Sequence, residues 1–114
     1  MNNEIIDIEN EEEFIKHFQQ EEFPVIIDFY ATWCGPCKMV QKVFEELPKE
    51  MNGEIRVLKV DIEKVPEVAQ KFMVRSVPTV VSTSKANVVQ GEVGANKPMF
   101  YKEMAKKAIE AHKA

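Results

Sequence analysis

The chain has 114 residues, enough for one compact domain spanning 1–114 and too few for two ordinary ones. Hydrophobic residues make up 45% and charged residues 30%, a soluble globular balance that excludes a disordered chain. A net charge of −4 argues against phosphate-driven nucleic-acid binding, and no apolar run is long enough to span a membrane. Met1-Asn2-Asn3-Glu4 has neither the basic start nor the apolar stretch of an export signal, so a cytoplasmic setting is expected.

Residues 4–8 read as a short strand. Asn10 then looks like a helix N-cap with Glu13 completing a capping box, and Phe14, Ile15 and Phe18 share one side of the helix that follows. Residues 24–30 are almost continuously apolar, as a strand buried on both faces requires. The next helix starts near Cys34 and runs to about Leu47. Its apolar stripe is Val40, Val43, Phe44 and Leu47, with Pro48 as the expected stop. Residues 55–60 read as a third strand, and residues 64–72 as a short helix with Val65, Val68, Ala69 and Phe72 inward. Residues 79–83 and 88–92 read as a hairpin turning at Lys85-Ala86-Asn87. Gly94 ends it, and Asn96 is expected to cap a last helix through His112.

The order β-α-β-α-β-α-β-β-α predicts an α/β fold. It has a central mixed five-stranded sheet, with helices on both faces, parallel pairing between helix-linked strands and an antiparallel edge. Charge is lopsided. Residues 1–22 hold eight acids and one lysine, and residues 97–114 hold five lysines and two acids, which is expected of solvated helix faces.

The chain has two cysteines, Cys34 and Cys37, separated by Gly35-Pro36 and placed between a buried strand and a helix. A helix N-terminus offers unpaired N–H groups and partial positive charge, which stabilise a thiolate at Cys34. Pro36 suits a first turn because its missing N–H had no partner there. Cys34 would attack a partner disulfide, and Cys37 would resolve the mixed disulfide. A purely structural bridge is disfavoured, since so short a loop removes little unfolded-state entropy. A zinc site would need further ligands, and only His17 and His112 offer themselves; both are expected to face solvent.

Asp28 interrupts an otherwise apolar strand. It is either a proton acceptor beneath the cysteines or a carboxylate on a solvated edge or in an ion pair. Lys59 interrupts the neighbouring strand and either tunes Asp28 or points outward. Pro78, after Val77, sits at a strand start, and its cis or trans state is open.

Asp28-Phe29-Tyr30-Ala31-Thr32-Trp33-Cys34-Gly35-Pro36-Cys37-Lys38, with Val77-Pro78-Thr79 and Gly94, resembles the thioredoxin family from about residue 5 to residue 112. That resemblance implies the thioredoxin fold and a protein-disulfide reductase that cycles a Cys34–Cys37 disulfide with no bound cofactor. It makes Cys34 the exposed nucleophile, Cys37 the resolving thiol, Asp28 the buried proton acceptor and Lys59 its neighbour. Gly35 and Pro36 become the dipeptide that sets the potential, and Pro78 a cis-proline. Trp33, Ile62, Val77, Val93 and Gly94 become the apolar surface that receives clients. Implied partners are a thioredoxin reductase, NADPH- or ferredoxin-linked, and disulfide clients such as a peroxiredoxin, a methionine sulfoxide reductase or a ribonucleotide reductase. The protein would act as a monomer. A dedicated reductant for one client, or a redox-independent binding module on the same scaffold, are the competing readings. The chain departs from the family pattern at Lys42, where many members have a kinking proline. It departs again at the glycine-free turn and at the polar run Ser82-Thr83-Ser84.

Overall fold

The computed structural model describes residues 4–114. The residues on which the export-signal expectation rests lie mostly outside that range. The elements are β1 (Ile5–Asp7), α1 (Glu11–Gln19), β2 (Val25–Tyr30), α2 (Gly35–Glu50), β3 (Arg56–Asp61), α3 (Pro66–Lys71), β4 (Thr79–Ser84), β5 (Asn87–Val93) and α4 (Pro98–Lys113). They form one five-stranded sheet in the order β1-β3-β2-β4-β5. The expected architecture is therefore present.

Alternation along β2 splits the core in two. Ile26 packs with Val40, Phe44 and Leu47 of α2 and with Tyr101 and Met104 of α4 on one face. Val25, Ile27 and Phe29 pack with Phe14 of α1 and with Val68 and Ala69 of α3 on the other. Asp28 follows the period-two rule onto the face of Ile26, so it lies on the side covered by α2 and α4. The Asn10 cap is as expected: its side chain accepts from the Glu13 N–H at 2.8 Å, and Glu13 reaches back to the Glu9 N–H at 2.7 Å.

Three local expectations are corrected. First, β4 runs antiparallel to β2, although α3 links β3 to β4. A six-residue helix advances only about 9 Å, roughly half the length of a six-residue strand. It cannot return the chain to the far edge, so β4 starts at the end where β3 stopped. Second, Pro48 lies inside α2 rather than after it. The stop is Asn52-Gly53, where φ is 56° and 73° and the Gly53 N–H closes onto the Pro48 carbonyl at 2.8 Å. The left-handed φ is what favours glycine at Gly53; the atom a Cβ would meet at 2.8 Å is the mobile end of the Glu4 side chain, which can move aside. Third, the N-cap of α4 is Lys97, not Asn96. Asn96 instead accepts from the Lys97 N–H at 2.8 Å, and its own N–H donates to the Tyr101 hydroxyl at 3.0 Å.

The hairpin turns on Lys85-Ala86 alone, with Ser84 paired to Asn87 and φ of 51° and 65° at the two loop residues. This is the type I′ geometry that favours Asn-Gly. Neither Lys nor Ala enters the left-handed region without cost, so Lys85→Asn with Ala86→Gly should raise unfolding stability by roughly 1 kcal/mol. Urea denaturation with an unchanged m-value would show it; no gain, or a loss, would contradict the turn assignment.

Candidate active site

The strand-to-helix turn after β2 builds the site. Val25–Tyr30 is held by hydrogen-bonded neighbours on both sides, so the end of β2 is a rigid platform. The chain then turns through Ala31-Thr32-Trp33, and the Cys34 N–H bonds the Ala31 carbonyl at 3.2 Å. Cys34 is the N-cap of α2, with Pro36 in the first turn. Cys34 and Cys37 form a disulfide, their Cα atoms 5.3 Å apart.

The Cys37 N–H donates to Cys34 Sγ at 3.2 Å. A sulfur atom thus occupies the place that a Ser or Asp oxygen fills in an ordinary N-cap. When the disulfide opens, the same N–H and the helix dipole face whatever charge forms on Cys34.

Cys34 is 4% exposed and Cys37 is fully buried. The resemblance implied an open nucleophile, and that is corrected for the oxidised state. Cys34 Sγ is turned into the helix end and bonded to its partner, under the cover of Ala31, Ile62 and Val77. Trp33 beside it is 68% exposed.

Of the residues expected to form the client surface, Ile62 and Val77 pack against the cysteine pair. Pro78 follows Val77 through a cis peptide bond. Gly94, at φ 88°, donates its N–H to the Pro78 carbonyl at 2.8 Å, and Val93 pairs with Thr79 across the sheet. Ile62 and Val77, distant in sequence from the 31–37 turn, therefore meet at the disulfide, and the Gly94–Pro78 hydrogen bond ties the end of β5 to the segment beside it.

Asp28 is fully buried, and neither carboxylate oxygen has a hydrogen-bond partner. The solvated-edge alternative is thereby excluded. Burial pushes its pKa from 3.8 up to about 7, and the Lys59 charge only partly opposes this. Lys59 is its register partner on β3 and makes no hydrogen bond to it. The lysine ammonium instead lies 3.4 Å from Asp7 and 5.5 Å above the centre of the Tyr30 ring. Lys59 so reads as a partly solvated group that tunes Asp28 by its field. Lys59→Met should raise the Asp28 pKa above about 7, because it removes the cation whose charge opposes the effect of burial. Carboxyl-resolved NMR titration would measure the rise; a fall would contradict this arrangement.

Sequence reasoning missed Tyr101. It is fully buried, and burial raises its hydroxyl pKa, with a smaller contribution from Asp28. It packs into the core between α4 and the sheet, with its ring against Phe44 of α2. His17 and His112 are half-buried rather than solvent-facing, and His112 Nδ1 lies 2.9 Å from Ser84 Oγ. Among the described residues, no three His, Cys, Asp or Glu side chains are grouped to hold a metal ion, and no helix is long and apolar enough to cross a membrane.

Comparison with known proteins matches this geometry. The chain is 40% identical over 68 residues to a thioredoxin of Rickettsia felis, covering 60% of this chain and 65% of that protein. It is 46% identical over 72 residues to the bifunctional thioredoxin reductase/thioredoxin of Mycobacterium leprae, which covers 63% of this chain and 16% of that protein. The matched stretch thus spans less than two thirds of either relative. Oxidised mitochondrial thioredoxin 3 of Saccharomyces cerevisiae superimposes with a TM-score of 0.79 at 33% identity, over 90% of this chain and 93% of that one. The family model for thioredoxin matches residues 5–107, nearly the whole fold including the disulfide turn, and the chain belongs to the thioredoxin family.

Proposed function

We propose that this protein is a thiol–disulfide oxidoreductase that reduces protein disulfides. The observation that carries the reading is the Cys34–Cys37 disulfide capping α2, with the Cys37 N–H on Cys34 Sγ at 3.2 Å. In the reduced protein, Cys34 thiolate attacks one sulfur of a client disulfide. A Cys34–client bond forms, and the other client sulfur leaves as a thiolate. Cys37 then loses its proton, attacks Cys34 Sγ, and expels the bound client sulfur as a thiolate, which takes a proton from solvent. The client gains two electrons and the protein ends as the disulfide.

Asp28 supplies the acceptor for the Cys37 proton. It is unpaired, lies on the sheet face beneath α2, and has a pKa of about 7, which lets it take and return a proton near neutrality. Trp33, Ile62, Val77, Pro78, Val93 and Gly94 form the surface on which the client lies, with the Val77 backbone pairing to an extended segment. Gly35-Pro36 tunes the pair toward reduction, and the working site is a reducing compartment such as the cytoplasm.

A thioredoxin reductase would restore the dithiol. The fusion of both activities named for the Mycobacterium leprae relative supports that pairing. Reduction of insulin disulfides with dithiothreitol as electron source tests the function. Turnover well above the dithiothreitol background is expected; a rate equal to background would refute it.

A further inference from the structure

Asp28 stands in a row of residues that crosses the sheet. Its register neighbours are Lys59 of β3 and Val80 of β4, and Val80 is paired with Glu92 of β5. Register partners share a face, so Lys59, Asp28, Val80 and Glu92 all stand on the side covered by α2 and α4. Neighbouring strands are about 4.8 Å apart, which puts Glu92 roughly 10 Å from Asp28.

Helix α4 brings one phenol to this row. Tyr101 shares its core cluster with Val80 and Ile26, and its ring centroid lies 5.2 Å from that of Phe44. Glu92 Oε2 accepts from Asn96 Nδ2 at 2.9 Å, and the Asn96 N–H donates to the Tyr101 hydroxyl at 3.0 Å. Those two bonds tie the hydroxyl to the Glu92 end of the row, within the fields of both carboxylates.

Two complementary groups on this face are left over. The Tyr101 oxygen already accepts a bond, so what it offers the interior is its proton, which no acceptor takes among the described residues. The Asp28 oxygens are buried acceptors without a donor, and buried polar groups are ordinarily satisfied. Gln90 Oε1 is the other unpartnered buried oxygen among the described side chains. It belongs to the Ile26–Ser82 row, two residues further from Asn96. Burial, and to a lesser degree the charges of Asp28 and Glu92, raise the Tyr101 pKa against the opposing Asn96 bond, so the hydroxyl keeps its proton at neutral pH.

We propose that Tyr101 is a positioning residue for the resolving step: its hydroxyl donates, through one bridging water, to the Asp28 carboxylate and stabilises the ionised form that takes the Cys37 proton. A water makes the link because the Asp28 oxygens have no partner within direct hydrogen-bond distance. Tyr101 keeps its own proton throughout, and the Cys37 proton ends on Asp28. The other titratable or charged groups around Asp28 are Lys59 on β3 with Asp7 of β1 beyond it, Tyr30 on its own strand, Cys37 on α2 and Glu92 on β5; β4 places Val80 there. The inference rests on the proposed reductase reading and adds a residue of α4 to its proton chemistry.

Tyr101→Phe tests it, because the ring against Phe44 is kept and only the hydroxyl is lost. In the oxidised protein, where no thiol titrates, the Asp28 midpoint read by carboxyl-resolved NMR should move up by about one pH unit. Single-turnover release of insulin from the mixed disulfide should slow roughly fivefold near pH 6.5 and approach the wild-type rate by about pH 9. Added to Asp28→Asn, the same substitution should change release by less than about twofold, since the group it acts through is gone. A midpoint that stays or falls, an equal loss of rate at every pH, or the same loss in the Asp28→Asn background would overturn the inference and leave Tyr101 a core residue. Asp28→Asn releasing client at the wild-type rate would defeat the acceptor role of Asp28 and this inference with it, whereas insulin turnover at background would defeat the redox reading itself.

Discussion

Cys34→Ser protein should lose insulin-reducing turnover by at least about a thousandfold, because the one thiol it keeps, Cys37, is fully buried and out of reach of a client disulfide. Cys37→Ser should behave differently. Its Cys34 still caps α2 and still receives the residue-37 N–H, which belongs to the backbone and survives the substitution. It should attack client disulfides at near-normal rate and then stall, leaving covalent complexes that survive non-reducing electrophoresis. Quantifying both variants separates nucleophile from resolver. Equal loss without trapped complexes would contradict the assignment of roles.

Asp28→Asn carries the largest expected effect on stability, and its sign follows from the raised pKa. The folded protein holds the Asp28 proton more tightly than the unfolded chain, with a pKa of about 7 against 3.8. Between those two values the native state binds more protons, so stability falls as pH rises through that window and levels off above it. A shift of about three units corresponds to at most about 4 kcal/mol. Asparagine keeps the shape without the charge. The variant should therefore be more stable than wild type at pH 8, by up to about 4 kcal/mol, with the gain vanishing near pH 4. Urea unfolding at several pH values measures this directly. A difference independent of pH would remove the Asp28 carboxyl as its source. The same variant should release clients from the mixed disulfide roughly a hundredfold more slowly near neutral pH, since the Cys37 proton loses its acceptor. Gain in stability together with loss in rate is the signature of a strained group retained for chemistry.

The parts of this site that were legible in the sequence are those written in short-range chemistry. Val25–Tyr30 announces a strand buried on both faces, and Cys34-Gly35-Pro36-Cys37 announces a helix start with sulfur at its cap. A single acid within that strand had to be buried if the strand was central, and Asp28 is. The features that escaped depend on chain direction and length. That β4 reverses relative to β2 follows from the shortness of α3, which periodicity alone did not weigh. The end of α2 was assigned to Pro48 because proline usually interrupts a helix. In the last turn, though, its missing N–H costs only one bond, and Asn52-Gly53 carries the real signal in its left-handed pair. Asn96 looked like a cap by composition, yet Tyr101 and Lys97 claim its hydrogen bonds. The contact of His112 with Ser84 joins residues 28 apart in sequence and could not be read from either neighbourhood.

The account stands on Cys34 being an activated thiol, and alkylation measures that most directly. The reduced protein is treated with iodoacetamide across the pH range and the rate of Cys34 modification is followed. If the Cys37 N–H and the α2 dipole stabilise the thiolate, the midpoint should lie at least about one unit below the free-cysteine value of roughly 8.5. A midpoint at or above that value would contradict the account.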